Sequence, residues 1–311
     1  MTLLRGSRPG RITLIVFRGR SRWPSIAVKV ATKAEHFWAL EREARSLKLV
    51  SRDLNDSIGA SAPRHLGSLR TPKYSLLATT AVRGRRAELP SLTKSRSSRS
   101  DRHRLGRHIG GVRLWSRELR QAIPSNRQRT GLDVANRLHR YLEIETLPPL
   151  MAERLAEIAG EVGQITHKWN AQWQHGDVAP GNVLWFRGGV RLVDWEAASP
   201  YHDPWRDDAY LILSLARNIQ NTSELGSSAA LKLALDTESW VGRILASSYT
   251  EDWPHPLPIH RALVAVAVEH ALMAHALKGS PNIWQEVVGT LVSDEEIRSS
   301  CDWLFRGVRS I

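Results

Sequence analysis

His175-Gly176-Asp177-Val178-Ala179-Pro180-Gly181-Asn182-Val183-Leu184, followed after eight intervening residues by Val193-Asp194-Trp195-Glu196, is the stretch on which the reading of this chain turns. A carboxylate stands at Asp177, a carboxamide five positions on at Asn182, and a second carboxylate at Asp194 behind the apolar pair Leu192-Val193. Phosphoryl transfer needs an acceptor hydroxyl held in line, a group to take its proton, and Mg2+ against the phosphates. Asp177 suits the first two tasks. Asn182 and Asp194 offer one neutral and one charged hard oxygen, the donor chemistry that Mg2+ takes when water and phosphate complete its shell. Leu192-Val193 reads as a strand end, a rigid place from which to aim a carboxylate. A stray Asp-x-x-x-x-Asn is common, whereas that pair with a second carboxylate at this separation is not.

Working back toward the N-terminus, Ile12 to Phe17 is a β-branched apolar run, and Ser25 to Ala31 alternates. Ile26, Val28 and Val30 are expected on the core face, with Lys29 among small residues on the other. From Ala34 to Val50, Phe37, Leu40, Ala44 and Leu47 recur at helical spacing, which predicts an amphipathic helix. Its Glu41 and Glu43 lie about equally far from the apolar stripe, so periodicity does not choose between them. Two further strands are expected around Arg64 to Leu69 and Tyr74 to Val82, parted by Thr71-Pro72.

Beyond Gly84 the composition turns to Arg, Ser and Gly, and Leu89 to Arg104 has little to bury, so it reads as a connector with regular structure resuming near Leu105. The patterns are then helical to Trp173, with a break at Pro148-Pro149 and one long helix from Met151 to Trp173. Trp169 and Trp173, four apart on that helix, read as packing residues. A loop-and-strand block covers Gln174 to Asp203, and helices follow from Trp205, including the apolar Ile259 to Leu277. His270 and His275, five apart, read as core or groove residues rather than a metal site. Strands first and helices after predict an α+β fold of two unequal lobes. The expected division is a strand-rich N-lobe at 1–82 and a helical C-lobe at 83–311 that opens with the Arg-rich connector at 83–104.

The chain resembles the kinase-like superfamily, and within it the aminoglycoside phosphotransferase-like branch. That branch carries a His-Gly-Asp loop, an Asn five residues after the Asp, and an Asp-Trp-Glu triplet, as at His175 to Asn182 and Asp194 to Glu196. The resemblance implies a bilobal kinase-like fold, ATP or GTP with Mg2+ as cofactors, Asp177 as catalytic base, and Asn182 and Asp194 as metal ligands. It implies that Lys29 pairs with the nucleotide's phosphates. Its Glu-Ala-x-x-Leu pattern falls on Glu43-Ala44-Arg45-Ser46-Leu47 and so makes Glu43 the partner of Lys29. Thr79, Thr80, Ala81 and Val82 become the interlobe hinge that bonds the base. Asp207 takes the family's Asp place in Pro204-Trp205-Arg206-Asp207-Asp208-Ala209-Tyr210, read as an acidic helix start. The departure is the phosphate-covering loop, for which Gly6-Ser7-Arg8-Pro9-Gly10 is the only candidate, with Met1 to Arg5 left for the first strand.

The 311 residues carry a net charge of +13. Between Arg83 and Arg129 thirteen Arg and Lys94 face Glu88, Asp101 and Glu118, a net of +11, which leaves +2 for the rest. Polycationic acceptors would be repelled by such a segment, so a neutral or anionic acceptor is expected, with Arg96, Arg99, Arg102 and Arg104 as candidate acceptor-binding residues. The favoured acceptor is Ser or Thr of an acidic precursor peptide in peptide natural-product biosynthesis, with a downstream lyase as partner. The alternative is a small-molecule kinase acting on an antibiotic or metabolite. A catalytically inactive basic binding module is the third reading, and nucleic acid is an unfavoured partner because no nucleic-acid-binding motif is present. Cys301 is the single cysteine, which excludes an internal disulfide and predicts a reduced, cytoplasmic setting. Neither Ile12 to Phe17 nor Ala262 to Val268 is long enough to cross a bilayer, so no membrane partner is expected.

Overall fold

The computed structural model describes residues 2–5, 10–53, 58, 61–93, 97–122, 127–187, 189–249, 253, 255, 257–276 and 283–306. In chain order the strands are β1 (Thr2–Arg5), β2 (Arg11–Phe17), β3 (Pro24–Ala31), β4 (His65–Arg70), β5 (Ser75–Thr80), β6 (Arg85–Arg86), β7 (Gln128–Arg129), β8 (Trp169–Asn170), β9 (Gln172–Gln174), β10 (Val183–Phe186), β11 (Gly189–Leu192) and β12 (Ser199–His202). The helices are α1 (Phe37–Asp53), α2 (Arg99–Ala122), α3 (Gly131–Ile144), α4 (Pro149–Gly163), α5 (Arg206–Asn221), α6 (Ser227–Leu235), α7 (Trp240–Tyr249), α8 (Ile259–Ala276), α9 (Ile283–Ser293) and α10 (Glu295–Arg306). The fold is α+β, with a strand-rich N-terminal region and a helical C-terminal part.

Two compact units are present. The first gathers Met1–Ala87, Leu114–Pro124 and Gln172–Pro200, and the second Glu88–Arg113, Ser125–Ala171 and Tyr201–Ile311. In the first unit a five-stranded sheet runs in the order β1-β2-β3-β5-β4, antiparallel at every pairing. Lys29 on β3 lies opposite Thr13 of β2 and Leu77 of β5. The buried cluster of this sheet is Ala31 and Leu77 with Phe37, Leu40 and Ala44 of α1. Ala31 and Leu77 share the Lys29 face, so the helix packs on that face and not on the face of Ile26, Val28 and Val30, which stay half-buried. The expected core face is therefore reversed. The small residues beside Lys29, Ala27 and Ala31, let α1 come close, and burying each Leu of the cluster contributes about 1.5–3 kcal/mol.

A hairpin of β10 and β11, extended by β6, completes the first unit. Gly84 admits that extension, because a Cβ there would meet the Leu184 Cβ at 2.7 Å.

The second unit is helical, and it corrects two expectations. Regular structure begins at Arg99 rather than Leu105, because Ser98 and Asp101 cap the helix reciprocally: the Asp101 N–H donates to Ser98 Oγ at 3.0 Å and the Ser98 N–H to Asp101 Oδ2 at 3.2 Å. Leu92, inside the expected connector, is fully buried. The helix expected to run from Met151 to Trp173 stops at Gly163, and Trp169 and Trp173 lie on β8 and β9. Both indoles are buried as expected, Trp169 edge-on to Trp205 with centroids 4.9 Å apart. Asp203 anchors this region, accepting from Trp169 Nε1 at 3.0 Å and pairing with Arg129 and Arg137. Helix α5 opens at Arg206 with Asp207 and Asp208 in its first turn, the acidic start that the sequence predicts. His270 stacks on both Tyr210 and Trp284, whose rings also meet each other, and His275 Nδ1 lies 3.0 Å from Glu145 Oε1. No helix among the described residues is long and apolar enough to cross a membrane.

Candidate active site

Lys29 Nζ donates to both carboxylate oxygens of Glu43, at 2.7 and 2.6 Å, and to Asp194 Oδ1 at 2.8 Å. Three elements converge to make this contact: β3 aims the amine, α1 brings the glutamate beside Ala44 of the buried cluster, and the end of β11 delivers the aspartate. Glu43 is almost fully buried, whereas Glu41 is only half-buried and pairs with Arg70. Packing thus chooses the glutamate that periodicity leaves open. Burial alone would depress the Lys29 ammonium, but the charges of Glu43 and Asp194 outweigh it and hold its pKa above the usual lysine value. For Glu43, burial dominates and raises the pKa despite Lys29. For Asp194, burial is outweighed by Lys29, then Arg11 and His175, and the carboxyl is held below its usual range.

Asp194 has φ +68°, in the left-handed region that a residue with a Cβ rarely adopts. Such a conformation costs about 1–3 kcal/mol and persists where neighbours over-determine it. Here the neighbours are on both sides. The Val193 N–H donates to the Asn182 carbonyl at 3.0 Å, the Trp195 N–H to Glu43 Oε1 at 3.3 Å, and Trp195 Nε1 to the Leu192 carbonyl at 3.0 Å. The Trp195 indole is buried edge-on against His175 and Trp115, with centroids 4.9 and 5.8 Å away, and Trp115 Nε1 donates to Ser61 Oγ at 2.8 Å.

The β10–β11 hairpin explains the spacing of the two expected metal ligands. Val183 pairs with Leu192, so Asn182 and Val193 stand at its two feet and Asp194 follows directly. Asn182 Nδ2 donates to the Asp177 carbonyl at 3.1 Å, which orients the amide and ties it to the loop of the expected base. Gly176, at φ +80°, makes the sharp bend that lets the Asp177 N–H reach His175 Nδ1 at 3.3 Å. His175 is fully buried and so serves as the anchor of this loop. Among the described residues no group of three or more His, Cys, Asp and Glu could hold a metal ion. Asn182 with Asp194 is the sparser kind of set that Mg2+ accepts when a substrate's phosphates supply further oxygens.

The first unit thus brings together Lys29, Glu43, Asp177, Asn182 and Asp194. It also holds Thr79 to Val82, where Thr79 and Thr80 lie in the β3–β5 ladder and the Ala81 N–H donates to the Ser25 carbonyl at 3.0 Å. Arg99, Arg102 and Arg104 belong to the second unit, exposed on the first two turns of α2, where Arg102 Nη1 folds back onto the Ser97 carbonyl at 3.1 Å. Arg96 and the loop from Gly6 to Pro9 lie outside the described residues, while Gly10 is described. One charged pair escaped the sequence reading: Arg11 Nη2 donates to Glu196 Oε2 at 2.7 Å. Nothing in the spacing of two residues 185 positions apart announces such a contact.

The profile of the phosphotransferase enzyme family, APH, matches residues 8–240. The chain belongs to this family. It is a phosphotransferase of the protein-kinase-like superfamily that acts on hydroxyl acceptors, and the inactive-module reading is set aside. Among solved structures, this phosphotransferase is similar to aminoglycoside phosphotransferase APH(3'')-Id from Streptomyces rimosus, at 19% identity and a TM-score of 0.48, over 89% of this chain and 93% of that one. The same enzyme in complex with ADP and streptomycin aligns at 20% identity and a TM-score of 0.46, over 82% of this chain and 88% of that one. A choline/ethanolamine kinase family protein from Mesorhizobium loti aligns at 15% identity and a TM-score of 0.47, over all of this chain and 87% of that one. No curated protein matches the sequence.

Proposed function

We propose that this phosphotransferase is a small-molecule kinase that moves the γ-phosphate of a Mg-nucleotide to a hydroxyl of a neutral or anionic acceptor. The observation that carries the chemistry is the contact of Lys29 with Glu43 and Asp194, beside a loop that fixes Asp177 and Asn182. Lys29, steered by Glu43, holds the nucleotide's phosphates, and the backbone of Thr79 to Val82 meets the base. Asn182 and Asp194 hold Mg2+, which neutralises charge on the phosphates. Asp177 orients the acceptor hydroxyl and takes its proton as the new P–O bond forms and the bond from the γ-phosphorus to the bridging oxygen breaks, releasing the nucleoside diphosphate. Lys29 and Glu43 fit this role because they arrive paired, so the amine is positioned before any ligand binds.

The family match favours a small-molecule acceptor over Ser or Thr of a precursor peptide, and with it removes the need for a lyase partner. The exposed arginines of α2 support an acceptor that is not a polycation. Incubation of the protein with γ-labelled ATP, Mg2+ and host extract, with Asp177→Asn as control, tests the reading. Label in small metabolites, absent from the control, is expected. Label confined to the peptide fraction would restore the precursor-peptide acceptor.

A further inference from the structure

β2 and β3 pair antiparallel with Arg11 opposite Ala31 and Thr13 opposite Lys29. Directly opposed residues share a face, and residues two apart on a strand do as well. Arg11 therefore stands on the Lys29 face, one same-face position along from Thr13, where β2 leaves the connection from β1. β1 pairs Arg5 with Ile12, and Arg11 is the first residue of β2, directly after the connection that in a kinase-like fold covers the phosphates. Its guanidinium is largely buried and tied to Glu196, two residues beyond Asp194, and the charges of Asp194 and Glu43 also act on it. This corner of the first unit thus holds two cations, Lys29 and Arg11, against three carboxylates, Glu43, Asp194 and Glu196.

We propose that Arg11 is a second phosphate-binding cation, held ready by Glu196 and drawn from it to the nucleotide when phosphates enter. The inference rests on the first unit being a nucleotide site. A guanidinium suits the task because its planar fork bonds two phosphate oxygens at once. Glu196 competes with the phosphates for that fork. Removing Arg11 and removing Glu196 therefore act on nucleotide affinity with opposite signs, which a merely structural ion pair does not do.

The test is calorimetric titration of the full chain with ADP and with adenosine, in EDTA so that no metal bridges Glu196 to the phosphates. Arg11→Gln is expected to weaken ADP binding about tenfold and to leave adenosine binding within about twofold, the loss of one charge-assisted contact. Glu196→Gln is expected to tighten ADP binding several-fold with adenosine unchanged. Both variants lose the same ion pair, so their melting temperatures without ligand should fall together. If Arg11→Gln does not fold, Arg11→Lys keeps the charge without the fork and should weaken ADP alone, by less. ADP affinity moving the same way in Arg11→Gln and Glu196→Gln, or adenosine weakened as much as ADP, overturns the proposal. Wild-type protein that binds neither ligand overturns the nucleotide-site reading beneath it.

Discussion

Asp194 sits in a backbone conformation that costs free energy, and four separate hydrogen bonds hold it there, from Lys29 and through Val193 and Trp195. Strain of this kind clusters at functional sites, which accords with the role we propose for Asp194. Asp177 and Asp194 should then fail differently. Asp177→Asn is expected to leave nucleotide affinity nearly intact while kcat falls by about 10²–10⁴, the usual contribution of a general base. Asp194→Ala should instead remove the dependence of nucleotide affinity on Mg2+. Parallel loss of affinity and turnover in Asp177→Asn would show that the roles are misassigned. Much of this was legible in the chain, because Asp177, Asn182 and Asp194 lie within 18 residues and their spacing is that of one loop and one hairpin. Arg11 and Glu196 were not legible as a pair, since strand register and the fold of distant segments decide that contact. Glu43 stood between the two, reachable by family pattern but not by periodicity, until the packing of α1 buried it and left Glu41 to Arg70.

Helix α2 carries His108 almost fully buried, with neither ring nitrogen hydrogen-bonded to a described group. Burial holds its imidazole down to about 4, against an ordinary value of 6.5. The unfolded chain therefore takes up a proton first as the pH falls below the ordinary value, and the folded state is penalised until the buried ring titrates. Stability should decline by about 3 kcal/mol across that window. His108→Leu is expected to flatten the decline, read by urea unfolding at neutral pH and near pH 4.5. Equal losses in both proteins would place the acid sensitivity elsewhere. α2 also shows where element boundaries hide. Its start looked too polar to fold, yet Ser98 and Asp101 form a reciprocal cap three residues apart, a local signal outweighed by the composition around it. α4 was overextended for the opposite reason: the apolar spacing runs on past Gly163 into two short strands. Alternation in β3 correctly gave a strand but assigned the wrong core face, because small residues flanking Lys29 mark where a helix lands rather than an open surface.

The residues to which we assign phosphoryl transfer lie in the first unit, and the exposed arginines of α2, Arg99, Arg102 and Arg104, lie in the second. That separation makes the two functions testable apart. Replacing Arg99, Arg102 and Arg104 by Glu should raise the KM of an anionic acceptor, more at low ionic strength than at high, with the nucleotide KM little changed. An unchanged acceptor KM would reduce that surface to a solvated face. The hairpin of β10 and β11 separates tasks in another way. Its feet set Asn182 and Asp194, while the paired Phe186 and Gly189 at its far end take no part in the backbone bonds described above for either donor. The tip is therefore a place to splice in an epitope or a fluorescent reporter, and a loop grafted there leaves the donor pair in register so long as both strands keep their partners.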